Sequence, residues 1–153
     1  MMHLHNEVDD VSVQLSRKTI PYTPVAKSLE QMTIMIVSTA GIHLRSQEPY
    51  DRAGDATYRI IPGDVSVKDL TVTHGAPIEH YNWEEPRRDP NTIFPIDRLR
   101  ELAEQGYIAQ VADKHLSMMG YAMRLNEIMA VTAPELAKEV DRSRADAVLL
   151  TAG

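Results

Sequence analysis

The fold is decided by two stretches that end alike, Met32-Thr33-Ile34-Met35-Ile36-Val37-Ser38-Thr39-Ala40-Gly41 and Asp146-Ala147-Val148-Leu149-Leu150-Thr151-Ala152-Gly153. Each is a short apolar run that closes on Thr-Ala-Gly, the pattern of a buried strand that runs into a turn. In open α/β sheets, ligands bind in loops at the carboxyl ends of the strands. We therefore predict that both turns lie at one sheet edge and form the floor of a crevice. The candidate crevice residues of these turns are Thr39, Gly41, Thr151 and Gly153.

The bulk composition bounds the class of protein. With 153 residues and 43% hydrophobic content, the chain suits one domain with one core. We predict a flexible tail over residues 1–19 and a single α/β domain over residues 20–153. The net charge of -6, with scattered Lys and Arg, argues against nucleic-acid binding. The N-terminus lacks a signal-peptide pattern and no apolar run is long enough to span a membrane, so a cytoplasmic protein is expected.

The middle of the chain is rich in prolines and short of long apolar runs. Six prolines fall between Leu44 and Pro95, at positions 49, 62, 77, 86, 90 and 95. Only Tyr58 to Ile61 and Leu70 to Val72 read as strands there, so long loops are predicted around them. The fold class predicted is α/β: an open, mostly parallel, Rossmann-like three-layer sheet with long Pro-rich loops, incomplete at the C-terminus.

The last third of the chain alternates helix and strand patterns. A helix is predicted from Pro95 to Gly106, with proline in its first turn and glycine at its C-cap, followed by a strand at residues 107–112. Residues 117–129 fit either a glycine-broken loop or a helix that begins after Tyr121. Residues 132–135, Thr-Ala-Pro-Glu, have the form of a capping box that starts another helix. The final strand, Ala147 to Leu150, is expected to lie beside the first.

Three histidines are predicted at strand ends. His43 follows the first Thr-Ala-Gly turn, His74 follows the strand at Leu70 to Val72, and His115 follows the strand at residues 107–112. An imidazole at such a position can move a proton or pair with a substrate carboxylate. We predict His43 and His74 as catalytic and His115 as a crevice residue. The alternative for each is an ordinary hydrogen-bonding histidine at the surface.

Three further polar residues are predicted to line the crevice. Arg59 lies in a short strand, and its planar guanidinium matches a substrate carboxylate. Asp89 and Asn91 lie in the long loops, where functional residues concentrate. Cysteine is absent, and the spacing of the histidines fits no dedicated zinc motif, so no metal site is predicted. The sequence also lacks the glycine-rich loops of nucleotide-binding proteins.

Several separated motifs, in order, carry a resemblance to a known family. They are the segments Ile20-Pro21-Tyr22-Thr23-Pro24-Val25, Ser38-Thr39-Ala40-Gly41-Ile42-His43-Leu44, Gly54-Asp55-Ala56-Thr57-Tyr58-Arg59-Ile60-Ile61-Pro62, Val72-Thr73-His74-Gly75, Asp89-Pro90-Asn91-Thr92-Ile93-Phe94-Pro95-Ile96-Asp97-Arg98-Leu99 and Asp146 to Gly153. Residues 20–153 resemble the selenoprotein B family of glycine, sarcosine, betaine and D-proline reductases, and are most similar to its proline-specific branch. Gly120-Tyr121-Ala122-Met123 departs from the glycine-rich run that this branch shows, which leaves the substrate open.

The resemblance implies a mechanism and partners. In the family, a strand ending in Thr-Ala-Gly or a close variant is followed by a redox motif with selenocysteine, or with cysteine in some members. We therefore expect selenocysteine just after Gly153, and an in-frame UGA codon read as termination. The family works with proprotein-derived partner subunits that carry a pyruvoyl group, whose carbonyl activates a small amino-acid substrate. The selenolate then cleaves the substrate C–N bond, so this chain alone is expected to be inactive and to associate as a homo- or hetero-oligomer.

Two other classes of function fit the sequence. One is a standalone paralogue of the family without redox chemistry, which acts as an interaction or small-carboxylate-binding module. The other is an acid/base enzyme that uses its histidines on a racemase-like α/β scaffold. The absence of amino-acid activity in a 153-residue chain, with or without His43 and His74, would remove this last alternative.

Overall fold

The computed structural model describes residues 23–75 and 83–152 of the chain. The predicted tail at residues 1–19, His80 and Gly153 lie outside the described residues. The strands are β1 (Thr33–Ser38), β2 (Ile42–Leu44), β3 (Tyr58–Pro62), β4 (Leu70–Val72), β5 (Gln110–Val111), β6 (Lys114–Met118) and β7 (Ala147–Thr151). The α-helices are α1 (Glu84–Arg88), α2 (Ile96–Glu104), α3 (Leu125–Glu127) and α4 (Ala133–Ser143), and a π-helical segment, Ile128–Thr132, joins α3 to α4.

A mostly parallel sheet is built around β1. Strand β7 pairs with β1 in parallel, from Ile34 opposite Ala147 to Ser38 opposite Thr151. On the other edge of β1, β5 and β6 also pair in parallel, and β3 closes that side antiparallel to β6. The predicted α/β class with a mostly parallel sheet is therefore confirmed, as is the pairing of the last strand with the first. The Rossmann-like three-layer arrangement stays a prediction.

Strands β5 and β6 are two parts of one interrupted strand. Val111 pairs with Ile34, whereas Leu116 pairs with Val37, so this strand advances five residues while β1 advances three. The two additional residues shift the register, and a backbone carbonyl no longer faces the Ile36 amide. The imidazole of His115 takes that place, since its Nδ1 lies 3.0 Å from the Ile36 N–H.

The two faces of β1 bury different parts of the chain. Ile34 and Ile36 pack with Phe94, Ile96 and Leu99 on one side. Successive side chains of a strand point to opposite faces, so Met35 packs on the other side, in a cluster with Leu116 and Leu136. The helices α2 and α4 supply these contacts. Both faces of the central strand are covered, which explains why its sequence is apolar without alternation.

The predicted helix after Pro95 is confirmed, and its C-terminal glycine behaves as expected. Helix α2 begins at Ile96 and ends at Glu104, and Gly106 follows with a φ of 77°. The capping box predicted at Thr132 is wrong. The chain is already helical from Leu125, and Thr132 has helical dihedral angles with no capping bond. Its hydroxyl instead donates to the Ala56 carbonyl, which fastens the helix to a loop.

Two of the strands, β2 and β6, were not predicted from the sequence. Strand β2 pairs antiparallel with β4, with His43 opposite Thr71, so His43 lies in a strand and not in a loop. Strand β6 includes the start of the ambiguous segment at residues 117–129 and holds His115 near its beginning. His115 therefore does not lie beyond a strand end as predicted. No helix in residues 23–75 and 83–152 is both long and apolar enough to cross a membrane.

Candidate functional site

A cavity of about 240 Å³ opens at the carboxyl ends of three strands. Thr39 and Ala40 follow β1, and residues 73–75 follow β4. Residues 119–121 follow β6, and Trp83 closes the remaining side. Carboxyl ends of parallel strands are where α/β sheets place ligands. Cavities for drug-sized ligands span about 300–1,000 Å³, so this volume suits a smaller ligand.

Gly41 holds the three strand ends together. Its N–H donates to the Met118 carbonyl and its own carbonyl accepts from the Thr73 N–H, each at 2.9 Å. Gly41 has a φ of 65°, and a Cβ atom at this position would lie 2.1 Å from the Thr73 carbonyl oxygen. Only glycine fits both conditions. The first Thr-Ala-Gly turn thus fixes the position of β4 and β6 relative to β1.

The two Thr-Ala segments lie side by side, as predicted. The Thr39 N–H donates to the Thr151 carbonyl at 2.9 Å, which extends the β1–β7 pairing by one residue. Thr39 lines the cavity, and Thr151 lies next to it at the end of β7. The Thr151 hydroxyl is buried and makes no hydrogen bond with the described residues. The end of β7 therefore lies beside Thr39, one of the residues that line the cavity, whereas Gly153 lies outside the described residues.

His74 forms part of the cavity wall with Trp83. Their rings are stacked, with centroids 4.1 Å apart and an interplanar angle of 7°. The His74 Nδ1 lies 2.9 Å from the Gly75 carbonyl. A carbonyl only accepts, so Nδ1 donates this bond. The structure thus brings His74 to the site where the sequence placed it, and its catalytic role stays a prediction.

His43 is buried behind the cavity wall and reaches it through Thr73. Its Nδ1 lies 2.8 Å from the Leu44 carbonyl, and its Nε2 lies 2.9 Å from the Thr73 hydroxyl. Burial lowers the pKa of His43, the Leu44 hydrogen bond raises it, and the Arg59 charge lowers it further. His43 is therefore neutral at pH 7. The sequence predicted the residue, but not the threonine that connects it to the cavity.

His115 lies in the interior of the sheet, away from the residues that line the cavity. It is fully buried, and its ring meets Phe94 edge-on with centroids 5.7 Å apart. Burial and the Arg100 charge lower its pKa to about 4, which keeps the imidazole neutral. Because Nδ1 accepts from the Ile36 N–H, the ring proton is on Nε2. The expected grouping of three histidines at one edge is wrong, because His115 substitutes for a backbone acceptor.

Arg59 is held by local groups and does not line the cavity. Its Nε donates to the Glu48 carbonyl at 3.1 Å, and its Nη1 donates to the Thr57 hydroxyl and the Tyr58 carbonyl. The guanidinium lies over the Tyr50 ring, 4.3 Å from its centroid. It borders a separate, wider groove. Its predicted role as a substrate-carboxylate partner stays a prediction, although the structure places it apart from His74.

Asp89 and Asn91 stabilise the turn that leads into α2. The Asp89 carboxylate accepts from the Asn91 backbone and side-chain N–H groups, both at 3.0 Å. The Asn91 side chain also donates to the Asp97 carboxylate, and its oxygen accepts from the Asp97 N–H. These bonds cap short helical segments. Neither residue lines the cavity, and their predicted role in the crevice stays a prediction.

Several residues that line the cavity were not predicted from the sequence. Thr73 could have been predicted as a cavity residue, because it lies directly after an apolar strand and before His74. The others lie outside the strands, in segments without a recognisable sequence pattern: Trp83, Met119, Gly120 and Tyr121. Within the described parts of the chain, no group of three or more His, Asp or Glu side chains is arranged to hold a metal ion.

The chain is an α/β domain with a small cavity of mixed polar and apolar lining at the carboxyl edge of a mostly parallel sheet. Residues 8–153 match the family described as glycine/sarcosine/betaine reductase selenoprotein B. The chain belongs to this family. The resemblance inferred from the sequence motifs is thereby confirmed.

Named relatives come from several reductases. The chain is 39% identical over 132 residues to the D-proline reductase subunit gamma of Acetoanaerobium sticklandii, covering 86% of this chain and 53% of that protein. It is 27% identical over 135 residues to the glycine reductase complex component B subunit gamma of Symbiobacterium thermophilum, covering 86% of this chain and 31% of that protein. It is 28% identical over 106 residues to the sarcosine reductase complex component B subunit beta of Peptoclostridium acidaminophilum, covering 66% and 23%.

The chain spans about half the length of the D-proline reductase subunit and a smaller share of the other two. No solved structure matches it significantly.

Proposed function

We propose that this chain belongs to a reductase complex that cleaves the C–N bond of a small amino acid, and that the cavity is where the substrate binds. The observation that carries the proposal is the position of the cavity, at the joined ends of β1, β4 and β6 and beside the end of β7. Family membership and the similarity to D-proline, glycine and sarcosine reductase components support it.

The residues of the cavity suit a small zwitterion. Thr39 and Thr73 offer hydroxyl groups, and His74 offers an imidazole. Trp83 and Tyr121 supply aromatic surface for an aliphatic ring or chain. The small volume favours glycine, sarcosine or D-proline over larger amino acids. The alternatives among these three stay open.

We further propose that the redox residue of the family, a selenocysteine or a cysteine, follows the end of β7. Two observations support this proposal: the Thr151 carbonyl accepts from the N–H of Thr39, which lines the cavity, and the buried Thr151 hydroxyl has no partner among the described residues. A selenolate at this position supplies a soft nucleophile that is ionised near neutral pH. The residues present fit such a group, because Thr39 and Thr151 at this end of the sheet carry hydroxyl groups that can donate hydrogen bonds to an anion.

A pyruvoyl group on a partner subunit is the second group proposed for the complex. When present, it supplies a carbonyl that activates the substrate amine. This chain's contribution is to bind the amino acid between Thr39, Thr73 and His74 and to exclude bulk water with Trp83 and Tyr121. Partner subunits are supported by the names of the relatives, two of which are described as parts of reductase complexes.

The test is reconstitution of the complex from a protein that extends through the redox residue proposed after β7, together with partner subunits that carry the pyruvoyl group, followed by assays with D-proline, glycine, sarcosine and betaine. With a dithiol as reductant, one of these substrates should be consumed, and D-proline should yield 5-aminopentanoate. Binding without turnover of any substrate in an assembled complex would favour the non-catalytic paralogue. Absence of both binding and turnover would contradict the proposal.

A further inference from the structure

The contact between His43 and Thr73 has a defined direction. The Leu44 carbonyl can only accept a hydrogen bond, so the His43 Nδ1, 2.8 Å away, carries the ring proton. In a neutral imidazole the other nitrogen is then an acceptor. The Nε2, 2.9 Å from the Thr73 Oγ1, therefore accepts the hydroxyl proton of Thr73. This fixes one tautomer for His43 and one orientation for the Thr73 hydroxyl.

Thr73 is the only member of this pair that lines the cavity. Because its proton is directed toward His43, the lone pairs of its oxygen remain for a ligand. A hydroxyl in this state accepts from a bound N–H group. A proton that it receives can pass to the His43 Nε2 without any movement of the backbone.

The groups around His43 favour its neutral form. The Tyr50 ring meets the imidazole edge-on, with centroids 5.8 Å apart, and the Arg59 guanidinium lies over the Tyr50 ring. Thr71, the register partner of His43 on strand β4, and Thr73, which follows that strand, are both uncharged. Burial and the Arg59 charge both lower the pKa of His43, against the opposing effect of the Leu44 bond. The imidazole is therefore unprotonated before the step, and its lowered pKa makes it release the proton readily afterwards.

We propose that Thr73 and His43 form a proton relay that deprotonates the ammonium group of the amino acid bound in the cavity. The inference rests on the proposed function and names its general base. In the step, a substrate N–H bond breaks as an O–H bond forms on Thr73, while the original Thr73 proton moves to the His43 Nε2. The positive charge passes from the substrate to the imidazole, and no electrons are transferred to or from either group. A free amine is what a carbonyl on a partner subunit requires for addition.

The first test measures kcat/KM against pH in the reconstituted reductase, for the substrate it turns over. Thr73→Val removes the relay and should lower kcat/KM on the order of 100-fold, the usual size of general-base catalysis. It should also remove the fall in kcat/KM on the acid side that reports His43. Thr73→Ser keeps a hydroxyl and should restore both. Thr71→Val is the matched control, because Thr71 lies two residues before Thr73, on strand β4, and does not line the cavity.

The outcomes separate the inference from the proposed function. A wild-type complex without turnover contradicts the proposed function. Turnover that Thr73→Val leaves unchanged, in rate and in pH profile, overturns the relay and leaves the proposed function intact. Turnover lost equally in Thr73→Ser and Thr73→Val also overturns the relay, because the hydroxyl is then not the feature that matters.

The second test needs no activity. The ¹⁵N chemical shifts of the His43 ring in the 153-residue chain should show the Nδ1–H tautomer at pH 7, with protonation below the usual pKa of histidine. In Thr73→Val the Nε2 shift should change, and in Thr73→Ser it should return. An Nε2–H tautomer in the wild-type chain would overturn the relay whatever the complex does, because Thr73 would then be the acceptor.

Discussion

The two buried histidines, His43 and His115, occupy similar environments but are connected to different parts of the molecule. Both are almost fully buried, and burial lowers the pKa of each. His43 contacts a cavity-lining hydroxyl through its Nε2. His115 contacts a backbone amide through its Nδ1, and its Nε2 is buried without a hydrogen bond to any described residue.

Burial and a lowered pKa are therefore not enough to identify a functional histidine. His115 has the larger shift, yet its contacts explain it as a replacement for a missing backbone carbonyl where the sheet changes register. His43 has a route to the cavity. We expect substitutions of His115 to change stability and substitutions around His43 to change activity.

The largest effect on stability is expected for His115→Ala. The substitution removes the acceptor of the buried Ile36 N–H and leaves a cavity beside Phe94. Together these should lower the free energy of unfolding by about 4 kcal/mol, measured by urea denaturation. His43→Ala is the comparison, with a smaller loss of stability. Equal losses for the two variants would remove the distinction between the two histidines.

Stability should fall in acid, mainly because of His115. Its pKa is about 4 in the folded protein, below the ordinary value of 6.5, so the unfolded chain binds more protons between these pH values. Stability therefore rises with pH through this window and is lost as pH falls from 6.5 toward 4. The total is about 3 kcal/mol at about 1.4 kcal/mol per pH unit.

The measurement is the free energy of unfolding at pH 7, 6 and 5, compared between the wild-type chain and His115→Asn. Asn keeps a hydrogen-bond acceptor but does not titrate, so its slope should be much flatter. Asp146, whose pKa is lowered by Lys27, loses its contribution only at lower pH and should not affect this range. A slope in His115→Asn as steep as in the wild-type chain would assign the effect to other groups, such as His43, whose pKa burial also lowers.

A smaller effect is expected at the turn that shapes the cavity. Gly41→Ala requires a strained φ of 65° and brings a Cβ atom against the Thr73 carbonyl, so it should cost about 2–3 kcal/mol. Gly106→Ala is a matched control with a φ of 77° and open space around the added atom, and should cost about 1 kcal/mol. If both variants lose the same stability, the close approach of Gly41 to Thr73 does not constrain the site.

The smallest effect is expected for Arg59→Met. The variant loses the hydrogen bond to the Glu48 carbonyl and the contact with the Tyr50 ring, at a cost of about 1 kcal/mol. Removal of this nearby positive charge should raise the pKa of His43, which NMR titration of its ring would detect. An unchanged His43 titration would show that Arg59 does not act on the relay.

The sequence predicted the parts of the fold that follow from local patterns. The apolar runs of β1 and β7, closed by matching turns, gave both the strands and their shared edge, and Gly106 marked the end of α2. Strand β6 was missed because its His and Ser residues break the apolar pattern. Their burial depends on the register shift against β1, which no local pattern records.

The site was predictable only where a residue follows a strand end. Thr39, Gly41 and His74 lie at the cavity or hold it together, as expected from their positions. Arg59 and Asn91 lie elsewhere, because their partners, the Glu48 carbonyl and the Asp97 carboxylate, hold their side chains in local structure. Trp83 and Tyr121 enter the site from separate loops, and that approach is a property of the tertiary fold.

The cavity's assignment as the substrate site is tested most sharply by KM for the amino-acid substrate. KM is measured in the reconstituted reductase that carries Thr39→Leu or Arg59→Met. Thr39 lines the cavity, so the larger side chain should occupy substrate volume and raise KM about tenfold or more, which corresponds to about 1.4 kcal/mol of lost binding. Arg59→Met should leave KM within about twofold. The reverse result, with KM raised by Arg59→Met and unchanged by Thr39→Leu, would contradict the assignment of the cavity as the substrate site.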